Sequence, residues 1–195
     1  MDTARNKEFL EILKTRLTPQ RLYHSICVAE QAKHLAEKFG GDSEKAYTAG
    51  LIHDIMRYEP AEKMLELIQN DGQNLTESEK NITVTLHAIA GEIYLRKELN
   101  VTDKDILSAV RWHTTGKEDM SLLEKIVFLA DLLEEERAYP GVERLRALLE
   151  EDIDKCLFAA LEETILYLKR EGKEIYRLTQ EAYRYYLEET HGTSN

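Results

Sequence analysis

Proline is scarce in this chain, with three in 195 residues, and glycine occurs only nine times. Few positions therefore force a helix to stop, and long uninterrupted helices are possible. Cysteine is scarcer still. Cys27 and Cys156 both sit inside helix-like runs, which leaves no disulfide framework and reads most simply as a reducing compartment. No apolar stretch approaches the ~20 residues a membrane span needs. The opening residues, MDTARNKEFLEILKTRL, carry charge throughout and lack the apolar centre of a signal peptide. The expectation is a cytoplasmic protein without membrane partners. Positive charge is also in deficit: 26 Lys and Arg stand against 37 Asp and Glu, a net charge of −11. That argues against a nucleic-acid partner, because phosphate backbones need a basic face. It does not exclude a small anionic ligand, for which a metal cation and a few arginines suffice.

What is present is helical pattern. A chain of this length can bury a core without staples, and residues 1–195 read as one domain. Phe9, Ile12, Leu13 and Leu17 recur at helical spacing. Thr18-Pro19 supplies an N-cap residue and a first-turn proline, and the run that follows stops at Gly40-Gly41. Asp42 or Ser43 opens the next helix, which carries Ala46, Ala49, Gly50, Ile52 and His53. Pro60 opens another, with Met64, Leu65 and Ile68 on one face. Thr76 and Glu79 have capping-box spacing and predict a helix through Ile82, Leu86, Ile89, Ile93 and Leu95. Thr102 or Asp103 begins a segment to His113. Residues 122–133, LLEKIVFLADLL, read as a buried helix, being too long for a typical strand. After the turn Tyr139-Pro140-Gly141, helices are expected over 142–149, 152–170 and 175–189. No strand alternation competes.

Polar residues interrupt these apolar helices at chosen places. His24, His53, His87 and His113 lie on or at the ends of four different helices. Four imidazoles so placed must satisfy eight ring nitrogens, and a shared metal is one common cause. The pair His53-Asp54 closes the apolar GLIHDI. Asp131 stands inside KIVFLADLL, where a carboxylate is costly unless it is paired or metal-bound. Imidazole with carboxylate suits iron, manganese, cobalt or zinc. His34, beside Lys33, Glu37 and Lys38, reads as a surface residue, as does His191. The run Glu134-Glu135-Glu136 reads as a solvated helix end.

The order His, His-Asp, distant Asp resembles the HD superfamily of metal phosphohydrolases. More closely, the chain resembles the YqeK-type symmetrical dinucleoside tetraphosphate hydrolases. The stretches that carry the resemblance are RLYHSICVAE (21–30), GLIHDIMR (50–57), LHAIAGE (86–92), HTTGKEDM (113–120) and ADLLEEERAYPGVERLR (130–146). Departures include Glu135, where the family usually has proline, Ala88-Ile89 for Gly-Pro, and Arg57 for lysine. Glu134 aligns with a family position that suits a role behind the ligands.

The resemblance implies an all-α fold, an HD-type helical bundle with a metal centre in its core. That core would span about residues 18–135, with extra C-terminal helices at 142–190. It implies His24, His53, Asp54 and Asp131 as ligands of one or two divalent transition metals, iron first. His87 and His113 would face the same pocket, either binding a second metal with Asp54 or contacting phosphate. Asp54, His87 and His113 are thereby the catalytic candidates. The implied reaction is cleavage of diadenosine tetraphosphate to two ADP by a metal-activated water. Arg21, Arg57 and Arg137 are candidate phosphate clamps, since guanidinium groups grip phosphate bidentately. Tyr139, Arg170, Tyr176 and Arg177 complete the candidate contacts to a nucleotide, and a homodimer is an open possibility. Another HD-type nucleotidase or phosphodiesterase, and a non-catalytic metal- and nucleotide-binding module, are the alternative readings.

Overall fold

The computed structural model describes residues 3–192, excepting the side chains of Thr3, Ser78, Thr83 and residues 190–192. His191 and the last three residues thus lie outside the described side chains. The described residues form eleven helices and no strand.

Helix α1 (Thr3–Arg16) buries Phe9 and Leu13 completely. Helix α2 (Pro19–Phe39) starts where Thr18 accepts the backbone N–H of Arg21, and it ends at Gly40, whose φ of +76° suits glycine. Helix α3 (Ser43–Ile52) is capped by the Asp42 carboxylate, which accepts two backbone N–H groups. It terminates at His53, and the HD pair sits in the turns beyond. Helix α4 (Ala61–Asn70) lies along α6.

The Thr76–Glu79 capping box is present, but the single long helix expected after it is not. The box starts a helix of five residues, α5 (Glu77–Asn81). The chain leaves helical geometry at Ile82 (φ −87°, ψ 68°), and α6 (Thr83–Lys97) begins afresh. Four consecutive β-branched residues, Ile82-Thr83-Val84-Thr85, explain the break, because they crowd the preceding turn of a helix.

Helix α7 (Lys104–Trp112) is capped by Asp103 and ends at His113. Helix α8 (Leu122–Leu133) carries a second capping box, Ser121 with Glu124. It packs against α2, α3, α7 and α10, which is why its sequence is apolar nearly all round. Helices α9 (Val142–Glu151), α10 (Ile153–Arg170) and α11 (Arg177–Gly192) complete the chain. Cys27 and Cys156 are both free thiols. Among the described residues, no helix is long and apolar enough to cross a membrane.

Two apolar clusters result. One gathers mainly side chains of α1, α3, α4, α6 and α7, the other mainly those of α2, α8, α9, α10 and α11, with α2, α3 and α8 contributing to both. The polar anomalies of the sequence sit between them. The tightest packing at this seam is at Gly50. A Cβ there would stand 2.9 Å from Ala29 Cα and 3.0 Å from Val28 O, both backbone atoms that cannot turn aside. Gly50 thus lets α3 lie against α2 so that His53 can approach His24. We expect Gly50→Ala to cost about 1–3 kcal/mol, the usual penalty for overpacking a filled interior. Urea unfolding would show this as a lowered midpoint, and an unchanged midpoint would mean that α2 and α3 can slide apart freely.

Candidate metal centre

Six side chains converge from five segments: His24 from α2, His53 and Asp54 beyond α3, His87 from α6, His113 beyond α7, and Asp131 from α8. His24 Nε2 lies 2.9 Å from Asp131 Oδ1. His53 Nε2 lies 3.0 Å from Asp54 Oδ2 and 3.8 Å from Asp131 Oδ1. His87 Nε2 lies 3.0 Å from Asp54 Oδ1 and 3.1 Å from His113 Nε2. The rings of His53 and His113 meet edge to face at 4.9 Å.

Exposure shows which way the cluster opens. The side chains of His53, Asp54 and His113 are fully buried, whereas Asp131 keeps 14% of its exposure and His24 10%. The mouth is therefore on the α2–α8 side. Arginines stand there. Arg21 bonds Asp54 Oδ2, and Arg137 donates to Asp131 Oδ1 at 2.6 Å and to the Asp131 carbonyl at 2.8 Å. Arg57 reaches His87 Nδ1 at 3.2 Å.

The electrostatics follow from this crowding. Burial alone would raise the Asp54 carboxyl, but His53 and His87 beside it hold it well below the usual carboxylate range. Asp131 is likewise depressed, with His24, His53 and Arg137 outweighing burial. Burial would lower His53, and the Asp54 carboxylate, with Asp131, more than offsets it and raises the imidazole. Burial with His53 and His87 as neighbours pushes His113 down to about 3, so its ring is neutral at ordinary pH.

A divalent metal fits these donors. Two groups can converge on an ion, His24 with His53 and Asp131, and His53 with Asp54 and His113. His53 Nε2 and Asp54 Oδ1 are also buried atoms without a hydrogen-bond partner. Buried polar atoms of that kind are rare and call for an explanation. The HD pair supplies both, and a cation bound between them would satisfy both.

Other candidates lie elsewhere. The Tyr139 hydroxyl donates to Leu132 O at 3.1 Å, and its ring packs in the second apolar cluster. Tyr176 is buried and hydrogen-bonds Glu79 and Arg111. Arg177 is exposed and pairs with Glu181 at 2.7 Å. Arg170 is exposed at the end of α10. Tyr139 thus reaches the residue after Asp131, and Tyr176 reaches Arg111, two residues before His113.

Two residues take roles that the residue pattern alone did not give. Glu134, read with its neighbours as a solvated helix end but by the resemblance as a residue behind the ligands, is buried, while Glu135 and Glu136 are exposed as expected. Its Oε1 lies 3.0 Å from His24 Nδ1, and its Oε2 accepts the Glu136 N–H at 2.7 Å. A carboxylate behind a ligating histidine fixes the ring's orientation and raises its basicity. Arg146 was counted only as part of a motif. Its guanidinium donates to the carbonyls of Leu133, Glu134 and Arg137, at 3.0, 2.6 and 3.0 Å, and so ties down the loop that carries Arg137.

The HD domain family matches residues 21–136, more than half of the chain, and the protein belongs to that family. Within it stand the "Bis(5'-nucleosyl)-tetraphosphatase, symmetrical" of Halalkalibacterium halodurans, 38% identical over 91% of this chain and 95% of that one, and the protein of the same name from Bacillus subtilis, 35% identical over 87% and 91%. The fold is also that of a crystal structure from Clostridium acetobutylicum, a "predicted HD superfamily hydrolase involved in NAD metabolism". It has a TM-score of 0.91 and 36% identity, covering 94% of this chain and 97% of that one.

Proposed function

We propose that this protein is a metal-dependent hydrolase that cuts diadenosine tetraphosphate at its centre into two ADP. The observation that carries the reading is the pairing of ligand and clamp on each carboxylate. Asp54 is touched by His53, His87 and Arg21, and Asp131 by His24 and Arg137. Such a centre presents metal donors and phosphate-gripping cations within one cluster. The names of the relatives, which match about nine-tenths of the chain, select the substrate.

In this reading His24, His53, Asp54 and Asp131 hold the first divalent ion, and His113 with Asp54 can hold a second. Iron is the metal the family resemblance favours, with manganese, cobalt or zinc as substitutes. A metal there supplies Lewis acidity and makes a water acidic enough to attack at neutral pH. The chain's own residues do the rest. Asp54 holds its anionic form in a dry site and orients the attacking water. Arg21 and Arg137 line the mouth and neutralise charge on the non-bridging oxygens. Arg57 reaches the same cluster from the His87 side. Arg170, Tyr176 and Arg177 remain candidates for the outer part of a long substrate, acting at a distance from the reacting bond.

The test runs the reaction in oxygen-18 water and identifies products by mass spectrometry. Water adds to one half, and the other half leaves with the bridging oxygen. ADP is therefore the expected sole nucleotide, with one label per turnover in a β-phosphate. AMP with ATP as products, or ATP turned over faster than the dinucleotide, would refute this substrate assignment.

A further inference from the structure

Helix α7 has two faces. Ile106, Ala109, Val110 and His113 recur at helical spacing and are buried. Lys104, Leu107, Arg111 and Trp112 form the other face, where they line an open groove with Glu92 and Arg96 of α6. The groove has a volume of about 290 Å³. Arg111 stands two residues, or about 200° of helical turn, from His113. The groove and the metal centre thus lie on opposite faces of α7.

The lining is cationic, in a chain whose net charge is −11. Arg96, Lys104 and Arg111 outnumber one carboxylate, Glu92. That carboxylate already accepts from Arg96 Nε at 2.8 Å, and Arg96 Nη2 donates to Asp71 at 2.9 Å, which leaves its Nη1. Lys104 is exposed. Arg111 is the decisive residue. Its Nη1 is buried and has no hydrogen-bond partner. A guanidinium cannot shed its charge to escape such a position, and buried donors in that state are rare. The groups around it are the Tyr176 hydroxyl, which it bonds, and the carboxylates of Glu92 and Glu79. Both carboxylates are engaged elsewhere, Glu92 by Arg96 and Glu79 by the N–H and hydroxyl of Thr76, each at 2.9 Å. They balance charge from a distance and leave the N–H unmet.

Trp112, the chain's single tryptophan, lies beside this donor, with the Arg111 guanidinium 4.2 Å from a ring centroid. Nucleobases stack on aromatic rings and on guanidinium planes. We infer that the groove is a second ligand site, for a mononucleotide whose phosphate bonds Arg111 with Arg96 and Lys104 around it and whose base lies against Trp112. Its volume is at the lower end of the ~300–1,000 Å³ that small-ligand sites span, enough for one nucleotide and too little for two. Leu107, buried in the lining, supplies apolar surface for the nucleoside. The site needs neither the metal nor the reaction proposed above, so it stands or falls apart from them.

Trp112 makes the test direct, because its fluorescence reports the groove. AMP titrated into the metal-loaded full chain should change that fluorescence saturably. The change should survive in Arg137→Ala, which alters the mouth of the metal centre and leaves the groove as it is. Arg111→Met and Lys104→Glu should each need roughly tenfold more AMP or beyond, the scale of one hydrogen bond to a charged group. Lys104→Glu decides the matter if Arg111→Met fails to fold, since Lys104 is exposed and its charge reversal leaves the interior untouched. Inorganic phosphate should compete with AMP while binding more weakly, and adenosine should bind more weakly still. Fluorescence that does not respond to AMP would overturn the proposal. So would a response lost in Arg137→Ala but intact in Lys104→Glu, which would put AMP at the metal centre. Phosphate or adenosine binding as tightly as AMP would overturn the mononucleotide as the ligand.

Discussion

Asp54→Asn is expected to lower turnover by on the order of 10³-fold or more, since a metal Lewis acid supplies several kcal/mol to the transition state and each ~1.36 kcal/mol is tenfold. Asp54 joins His53 to His87 within the centre. Its Oδ2 is 3.0 Å from His53 Nε2 and its Oδ1 is 3.0 Å from His87 Nε2. Asparagine keeps the volume and removes the anion, so the helices around it have no reason to repack. The charge balance does change. Arg21 and the raised imidazole of His53 lose their shared anion, and metal affinity falls with it. His53→Ala and Asp131→Ala should act in the same direction, each taking a donor from the His24–His53–Asp131 group. The measurements are elemental analysis of purified protein and circular dichroism of each variant. Folded protein with little metal is the expected result. Metal equal to wild type in His53→Ala and Asp131→Ala would sink the ligand assignment.

Several helix starts were legible because their caps are written in side chains. Thr18, Asp42 and Asp103 each accept backbone N–H that a helix start leaves unpaired. The helix over 122–133 was legible instead from the length of its apolar run, and its cap Ser121 was not noticed. The break at Ile82 was not legible from the apolar period alone, which runs through it unchanged. It lay in the β-branched run that the period ignores. The metal centre was legible for a different reason. A polar residue on an apolar helix is costly, and five helices each displayed one at or near the seam. What stood behind the centre was marked by the family resemblance alone and hidden from the residue pattern. Glu134 is the first of three glutamates in a row, and nothing in EEE says which one turns inward. The structure turns Glu134 because it follows the last turn of α8, on the side of Asp131, and reaches across to α2. Arg111 was hidden likewise. It is largely buried, beneath Tyr176, with one Nη atom lacking a partner. Tyr176 drew notice as an aromatic near a basic residue, a pattern that cannot distinguish a base-binding surface from a tyrosine locked to Glu79 and Arg111. The contact between Arg57 and His87 was hidden as well, since only a folded chain brings residues 57 and 87 together.

Arg137→Ala should weaken ADP binding by about 1–3 kcal/mol, roughly 5- to 150-fold, the scale of charge-assisted hydrogen bonds to phosphate. Arg137 is placed for this at the open edge of the site, with 32% of its side chain still exposed. One edge of its guanidinium is spent on Asp131, through Nη2 to Oδ1 at 2.6 Å and Nε to the carbonyl oxygen at 2.8 Å. That grip fixes the plane of the fork beside the metal donors and leaves Nη1 to an incoming phosphate. The loop itself is held from below by Arg146, whose three carbonyl contacts replace what a regular helix would have provided. Two consequences separate the clamp from the frame. Arg137→Lys should recover less than half of the lost binding free energy, because an ammonium is a point donor and cannot bond Asp131 and phosphate in one plane. Arg146→Ala should weaken ADP less than Arg137→Ala does, while lowering thermal stability more, since it leaves carbonyls in the loop unpaired. Metal content in Arg137→Ala should stay at the wild-type level or rise, for Asp131 Oδ1 loses a competitor for its lone pairs. Calorimetric titration of ADP into the metal-loaded variants decides the matter. Unchanged affinity in Arg137→Ala would remove it from the clamp, and metal loss in that variant would make it a prop for Asp131 instead.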